Sequence, residues 1–233
     1  MISVLWNCAS AAVVYKPAGL ATQSPPPHES LETVLKMQFE QRSDYLAFPH
    51  RLDRPVGGLI LVAFTKRSAR LLGAQFEART VNKSYVALVH GRIAEDHAVW
   101  RDYLRKVDGE ARAETIAEAD AAQTPDAKPA ELAMTVLRRY DACTLVKLEP
   151  VTGRMHQLRV QTATRGHAIV GDRLYGAAQS PSMSGLGPEF ELGLGTDEIA
   201  LQAARLEFND PVSGRRVLVE APPTSWSHPD PTR

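Results

Sequence analysis

His50-Arg51-Leu52-Asp53-Arg54-Pro55-Val56-Gly57-Gly58-Leu59-Ile60-Leu61-Val62-Ala63-Phe64-Thr65 is the stretch on which the fold turns. One carboxylate lies between two arginines. Two glycines follow, and then six consecutive apolar residues, Leu59 to Phe64. An apolar run of that length reads as a strand covered on both faces. Thr65 is placed to cap a helix whose inner face carries Ala69, Leu72 and Phe76. The polar run lies at the end of an extended segment and before a Gly-Gly turn.

Working outward, Ala11–Tyr15 reads as a strand that stops at Lys16-Pro17, and Ser24-Pro25-Pro26-Pro27 as a loop. Ser30 is the expected cap of a helix with Leu31, Val34, Leu35 and Phe39 on one face. An extended stretch is expected around Leu46 to Pro49. Strands are expected from Ser84 to Gly91, from Met134 to Tyr140 and from Thr144 to Glu149. A helix from about Met155 is expected to end with Gly166 as its C′ residue. Leu201–Phe208 and Val217–Val219 read as a closing hairpin around Asp210-Pro211 and Gly214. Strands and helices mix without a regular βαβ beat. That predicts an α+β fold with a mixed, largely antiparallel sheet flanked by helices and loops. One domain across residues 1–233 is expected, with an acidic, weakly patterned insertion at about 101–130 and a flexible loop at about 178–196.

The chain of 233 residues has zero formal net charge. Its distribution is uneven. Residues 48–92 hold eight Lys/Arg against two acids, whereas residues 93–131 hold five against ten. Residues 151–176 hold four Arg against Asp172. A local basic surface binds phosphate even in a neutral protein, although a charged helix face is also the ordinary solvated surface. Cys8 and Cys143 lack CxxC spacing, and neither a zinc site nor a disulfide framework is suggested. No Lys or Arg occurs in the first fifteen residues, and no apolar run approaches a membrane span. A cytoplasmic protein with no membrane contact is expected.

Three groups of residues offer chemistry. Asp53 is either a turn residue or, with Arg51 and Arg54 favouring its ionised form, a carboxylate able to act as nucleophile or base. Arg159, in Thr152-Gly153-Arg154-Met155-His156-Gln157-Leu158-Arg159, lies one helical turn from Met155 on the expected helix. An arginine on a mostly apolar face needs an anion, and any convenient acid serves. Tyr85, in Lys83-Ser84-Tyr85, is a core or rim residue of a strand, or a ring on which an unpaired base stacks. No metal-ligand spacing, phosphate loop or dinucleotide fingerprint is present in the sequence.

In this order the pieces resemble the RluA-like family of pseudouridine synthases. Lys16-Pro17-Ala18-Gly19-Leu20 is similar to its opening motif, and His50–Pro55 with Gly58-Leu59 to its catalytic motif. Lys83–Gly91 is similar to its tyrosine-bearing strand. Thr152–Val160 with Gly166–Gly176 is similar to its third motif. The likeness spans Val14 to about Leu218. It implies the pseudouridine synthase catalytic fold with a central RNA-binding cleft, and isomerisation of uridine in rRNA or tRNA after base flipping. Asp53 matches the essential aspartate, Arg159 the arginine that pairs with it, and Tyr85 the tyrosine that stacks on the target base. Arg51 matches the side chain that fills the RNA stack, and Val170 lies near the apolar residue on the base's other face. His50, Arg54, Lys83, Arg154 and His156 fall within the RNA-facing motifs. No cofactor or metal is expected, the partner is an RNA stem-loop, and a monomer is the default. With about thirteen residues before Val14, a stand-alone catalytic domain without a preceding RNA-binding domain is expected.

The chain departs from the family pattern at Val56-Gly57, where Thr-Ser is common. It departs also at Met155, Gln161, Ala168 and Gln202, where Thr, His, Pro and His are common. A non-catalytic RNA-binding protein that keeps the fold is the alternative. A nucleosidase would want two cooperating carboxylates, for which only Asp172 offers itself beside Asp53.

Overall fold

The structure, a computed structural model, describes residues 1–176 and 194–226. In chain order its elements are β1 (Val4–Cys8), β2 (Ala11–Lys16), α1 (Leu31–Gln38), β3 (Gly57–Ala63), α2 (Lys66–Glu77), β4 (Asn82–His90) and β5 (His97–Lys106). There follow β6 (Ala113–Ile116), α3 (Glu118–Ala121), β7 (Lys128–Arg139), β8 (Cys143–Pro150), α4 (Gln157–Thr164), β9 (Leu201–Asn209) and β10 (Arg216–Glu220). Two compact units emerge. The first comprises Met1–Ser84, Gly195–Glu198 and Gln202–Pro222, and the second is built on residues 85–176 with Ile199–Leu201.

In the first unit, β2 lies antiparallel between β1 and β3. β3 meets β9 in parallel at Gly57↔Gln202 and Gly58↔Ala203, and β10 closes antiparallel on β9. Every residue of β3 is buried, as its unbroken apolar run requires. Gly58 has φ +120, and a Cβ there would lie 2.4 Å from the Ala203 carbonyl oxygen, so only glycine permits this strand crossing. Leu59, Leu61, Leu72, Leu206 and Phe208 share one apolar cluster, against which Phe76 packs. Both expected helix caps are present. The Ser30 hydroxyl accepts from Thr33 N–H while the Thr33 hydroxyl accepts from Ser30 N–H, and Thr65 accepts from Ser68 N–H. The extended stretch near Leu46 enters the sheet as a two-bond bridge between Ala47 and Ala63.

In the second unit the strand order is β4-β8-β7-β5-β6, all antiparallel. The acidic stretch 101–130, too weakly patterned for strands to be assigned from sequence, holds most of β5, all of β6 and the start of β7. Its Leu104, Ala113 and Ala130 are buried against Val160 of α4. The paired strands expected near 134–149 are present as β7 and β8, with a register shift between Val136 and Arg138.

α4 begins two residues later than expected, at Gln157. His156 has φ +50, and the Gln157 side-chain oxygen accepts from Arg154 N–H and from the Thr152 hydroxyl, closing a turn ahead of the helix. Met155 therefore lies outside the helix and is exposed, and it shares no helical face with Arg159. The far end is as expected, with Gly166 at φ +81 just beyond the C-cap Arg165. Most of the loop expected at 178–196 lies outside the described residues.

Candidate functional site

Asp53 sits in a turn that side chains from elsewhere in the first unit hold on either side of it, at Leu52 and Arg54. The Thr22 hydroxyl donates to Leu52 O at 2.8 Å and accepts from Leu52 N–H at 3.3 Å. Asp53 O accepts from Val56 N–H at 3.1 Å. The Lys16 ammonium donates to Arg54 O at 3.3 Å, and also to Leu20 O at 2.6 Å and Pro17 O at 2.9 Å. Ahead of the turn, His50 Nε2 accepts from Leu61 N–H at 3.0 Å, and its ring stacks on Phe76 with centroids 4.8 Å apart. Beside the Ala47 bridge, the imidazole thus supplies a further rung to β3. These contacts fix the backbone that presents Asp53.

Their electrostatics are unusual. Lys16 is fully buried. Burial lowers its pKa to about 8, and the carboxylates of Asp53 and Glu198 act in the opposite direction. His50 is pushed down to about 3, first by burial and then by the charge of Lys83. It is a neutral acceptor at ordinary pH and offers no positive charge to phosphate. Lys83 is itself lowered by burial. Arg51 is exposed. Arg54 donates from Nε to Gly19 O at 2.9 Å and from Nη2 to Asp197 at 3.2 Å, both near the surface.

In the second unit, Arg159 and Asp172 form a bidentate pair. Nε lies 2.6 Å from Oδ2 and Nη2 lies 2.8 Å from Oδ1. The Asp172 side chain is wholly buried and that of Arg159 is 7% exposed. Asp172 Oδ1 also accepts from the N–H groups of Leu174 and Tyr175. The Arg159 guanidinium lies 5.1 Å from the centre of the Tyr175 ring. Tyr175 OH accepts from Ala113 N–H and meets His156 Nδ1 at 2.9 Å. Arg154 donates to Pro129 O at 3.0 Å. Tyr85 is half-buried near the start of β4, opposite Leu148. Further along β4, Leu88 O accepts from the N–H of buried Val170.

The expected site residues thus fall into two groups. Asp53, Arg51, His50, Arg54 and Lys83 belong to the first unit, and Tyr85, Arg159, Arg154, His156 and Val170 to the second. The model of the RNA pseudouridylate synthase family matches residues 10–164, which include Asp53, Tyr85 and Arg159. The chain belongs to the RNA pseudouridylate synthase family. The likeness read from the four motifs is borne out at that level.

Relatives of this family agree. Ribosomal large subunit pseudouridine synthase C of Vibrio parahaemolyticus is 32% identical over 178 residues, covering 76% of this chain and 52% of that protein. tRNA pseudouridine synthase C of Yersinia pestis is 32% identical over 242 residues, covering 98% of this chain and 88% of that one. Among solved structures, human RNA Pseudouridylate Synthase Domain Containing 1 matches with a TM-score of 0.75 at 26% identity, over 98% of this chain and 86% of that one. The chain spans about half to two thirds of the ribosomal relatives that it matches first, 52% and 66%. The mixed, largely antiparallel sheet is that of the pseudouridine synthase fold. Among the described residues no helix is long and apolar enough to cross a membrane.

The sequence alone gives no role to Lys16 and Thr22 of the first unit or Tyr175 of the second, and names Asp172 only as a second carboxylate, not as the partner of Arg159. Asp172 had a legible signal. Arg159 needed a buried acid, and Asp172 is the sole acid between Val151 and Gly176. Lys16 stood inside a quoted motif, but nothing in sequence shows that a lysine is buried. Thr22 carried no signal.

Proposed function

We propose that the protein isomerises uridine in ribosomal or transfer RNA to pseudouridine, with Asp53 as the nucleophile. Both substrate classes appear in the names of its relatives. The observation that carries this reading is the fixing of the Asp53 turn by Thr22, Lys16 and Val56 N–H. A nucleophile held in one geometry gains rate because its orientation is set before reaction. Asp53 bonds to the nucleoside as the bond between base N1 and the sugar breaks, the base turns, C5 bonds to the sugar as the Asp53 bond breaks, and the proton lost at C5 is matched by one gained at N1. Atoms balance within one nucleoside, so the chemistry calls for neither cofactor nor metal.

The remaining roles follow the family. Arg159 acts as counter-charge to the attacking carboxylate, and the bidentate Asp172 pair supports this by fixing its guanidinium plane. Tyr85 stacks on the flipped base and assists the late proton transfer, with Val170 on the base's other face. Flipping costs a few kcal/mol, and exposed Arg51 fills the vacated stack. Arg54 and Lys83 approach phosphate, as do Arg154 and His156. The His50 geometry supports a positioning role in place of RNA contact. A monomer in the cytoplasm fits a ribosomal or transfer RNA substrate.

A binding-only protein drew its support from Val56-Gly57. The groups that hold the Asp53 turn include neither of those side chains, since Val56 closes it through backbone N–H. The test is a pseudouridine map of cellular rRNA and tRNA with and without the gene, repeated with Asp53→Asn. A site that vanishes in both is expected. A site restored by Asp53→Asn overturns the reading.

A further inference from the structure

The two longer helices of the first unit treat charge in opposite ways. α1 follows the electrostatics of an isolated helix. It has Glu32 in its first turn, Lys36 in its last, and an i,i+4 ion pair of 2.8 Å between them. α2 inverts that pattern. Lys66 and Arg67 occupy its first turn, which holds no acid, and Glu77 ends it. The positive end of the helix dipole faces its own cations. Arg70 adds like-charge neighbours at i,i+4 to Lys66 and at i,i+3 to Arg67. Arg79, just beyond the helix, is held at φ +56, a conformation that favours glycine.

Lys66, Arg67 and Arg70 are exposed on one face, opposite the inner face of Leu72 and Phe76. Among the described residues, no carboxylate lies within ion-pairing distance of any of the three. The second unit pairs several of its arginines: Arg101 meets Glu131, Arg105 meets Glu114, Arg139 meets Asp96 and Arg165 meets Asp102, all within 3.1 Å. Its exposed Arg92, Arg138 and Arg173 are scattered singly, whereas Lys66, Arg67 and Arg70 cluster on one helix face. α2 keeps its unfavourable cations because the Thr65 cap, the buried Leu72 and the partly buried Phe76 hold the helix regardless. Departure from local rules of this kind marks a surface used for something else.

We infer that the outer face of α2, formed by Lys66, Arg67 and Arg70, is a docking surface for the phosphate backbone of RNA. It is additional to the residues around Asp53 and rests on the proposal that RNA is the substrate. Phosphates supply the anions that the helix lacks. Three cations along about one and a half turns suit a run of backbone charges better than a single ion. The contact reads no sequence. It adds affinity and holds a stem in place while other residues select the uridine.

The experiment measures binding of a fluorescein-labelled 20-nucleotide RNA hairpin by anisotropy across a salt series. It compares the full chain with Lys66→Gln/Arg67→Gln/Arg70→Gln and with Arg101→Gln/Arg105→Gln/Arg112→Gln. Neutralising α2 is expected to reduce the slope of log K against log salt by about 2 to 3, and the Arg101/Arg105/Arg112 variant to leave it unchanged. The α2 variant is also expected to melt no lower than the parent, because it removes like-charge repulsion. An unchanged slope overturns the inference. So does an equal change in both variants, or a loss confined to anionic lipid vesicles. Arg70→Gln alone, expected to reduce the slope by about 1, decides the matter should the triple variant fold poorly. No step depends on turnover. A chain that binds through α2 but forms no pseudouridine refutes the proposed function alone, and the converse result refutes this surface alone.

Discussion

Two buried cations, one in each unit, are stabilised in opposite ways. Lys16 spends its protons on three backbone carbonyls, and its charge is opposed by burial. Arg159 meets a wholly buried carboxylate through two short bonds. Carbonyls fix where the ammonium sits without cancelling its charge, so Lys16 remains sensitive to pH and to nearby carboxylates. A bidentate carboxylate fixes the guanidinium plane, so Arg159 is set in orientation. The difference suits the two tasks proposed. The Asp53 turn needs its backbone held, whereas Arg159 needs its guanidinium aimed.

The largest expected effect comes from Asp53 itself. Asp53→Asn should reduce pseudouridine formation by more than about a thousandfold in single-turnover assays, because the proposed nucleophile is gone. It should also sharpen the contrast. Without the Asp53 charge, Lys16 loses one of the two interactions that raise its pKa, which should fall further below 8. An NMR titration of the Lys16 side chain reads that shift.

Asp172→Asn should break the other half of the comparison. It removes a buried countercharge and should cost roughly 3 kcal/mol of unfolding free energy in urea. A cost near zero would show that the pair is dispensable. Surviving fold with a lower kcat and an unchanged KM would support the orienting role.

The pH predictions are next in size. Lys16 has a folded pKa of about 8, below its ordinary 10.5, so burial of its charge opposes folding below pH 8. That penalty, about 3 kcal/mol for such a shift, is relieved as pH rises from 8 towards 10.5. Relative to Lys16→Met, the parent should gain stability across that window and run parallel below it. His50, lowered to about 3, behaves differently. Its contribution is complete above pH 6.5 and is lost as pH falls towards 3, since only the unfolded chain takes up the proton. Compared with His50→Gln, the parent should lose stability between pH 6.5 and 4 in denaturant titrations. At pH 7.5 the same substitution should cost only about 1 kcal/mol, the worth of one hydrogen bond to Leu61.

Much of this architecture was legible beforehand because it is local. The apolar run at Leu59, the hydroxyls at Ser30 and Thr65, and Gly166 after a helix each act within a few residues. α4 starts at Gln157 because His156 adopts a left-handed conformation, in a turn that Gln157 closes on Arg154 N–H and that the His156 ring ties to Tyr175. The strands within 101–130 were hidden because their alternation is weak, and pairing with neighbouring strands decides them.

The sequence by itself determined the family, the order of the motifs and the identity of Asp53, Tyr85 and Arg159 as the residues to watch. Chemistry requires particular side chains, and side chains are written in sequence. Only the tertiary structure decided that Lys16 is buried among carbonyls, that His50 accepts from the Leu61 N–H of β3, and that Asp172 holds Arg159. Those outcomes depend on which groups lose their water and which partner replaces it. Residues far apart in the chain supply that partner, across 38 positions between Lys16 and Arg54 and 13 between Arg159 and Asp172.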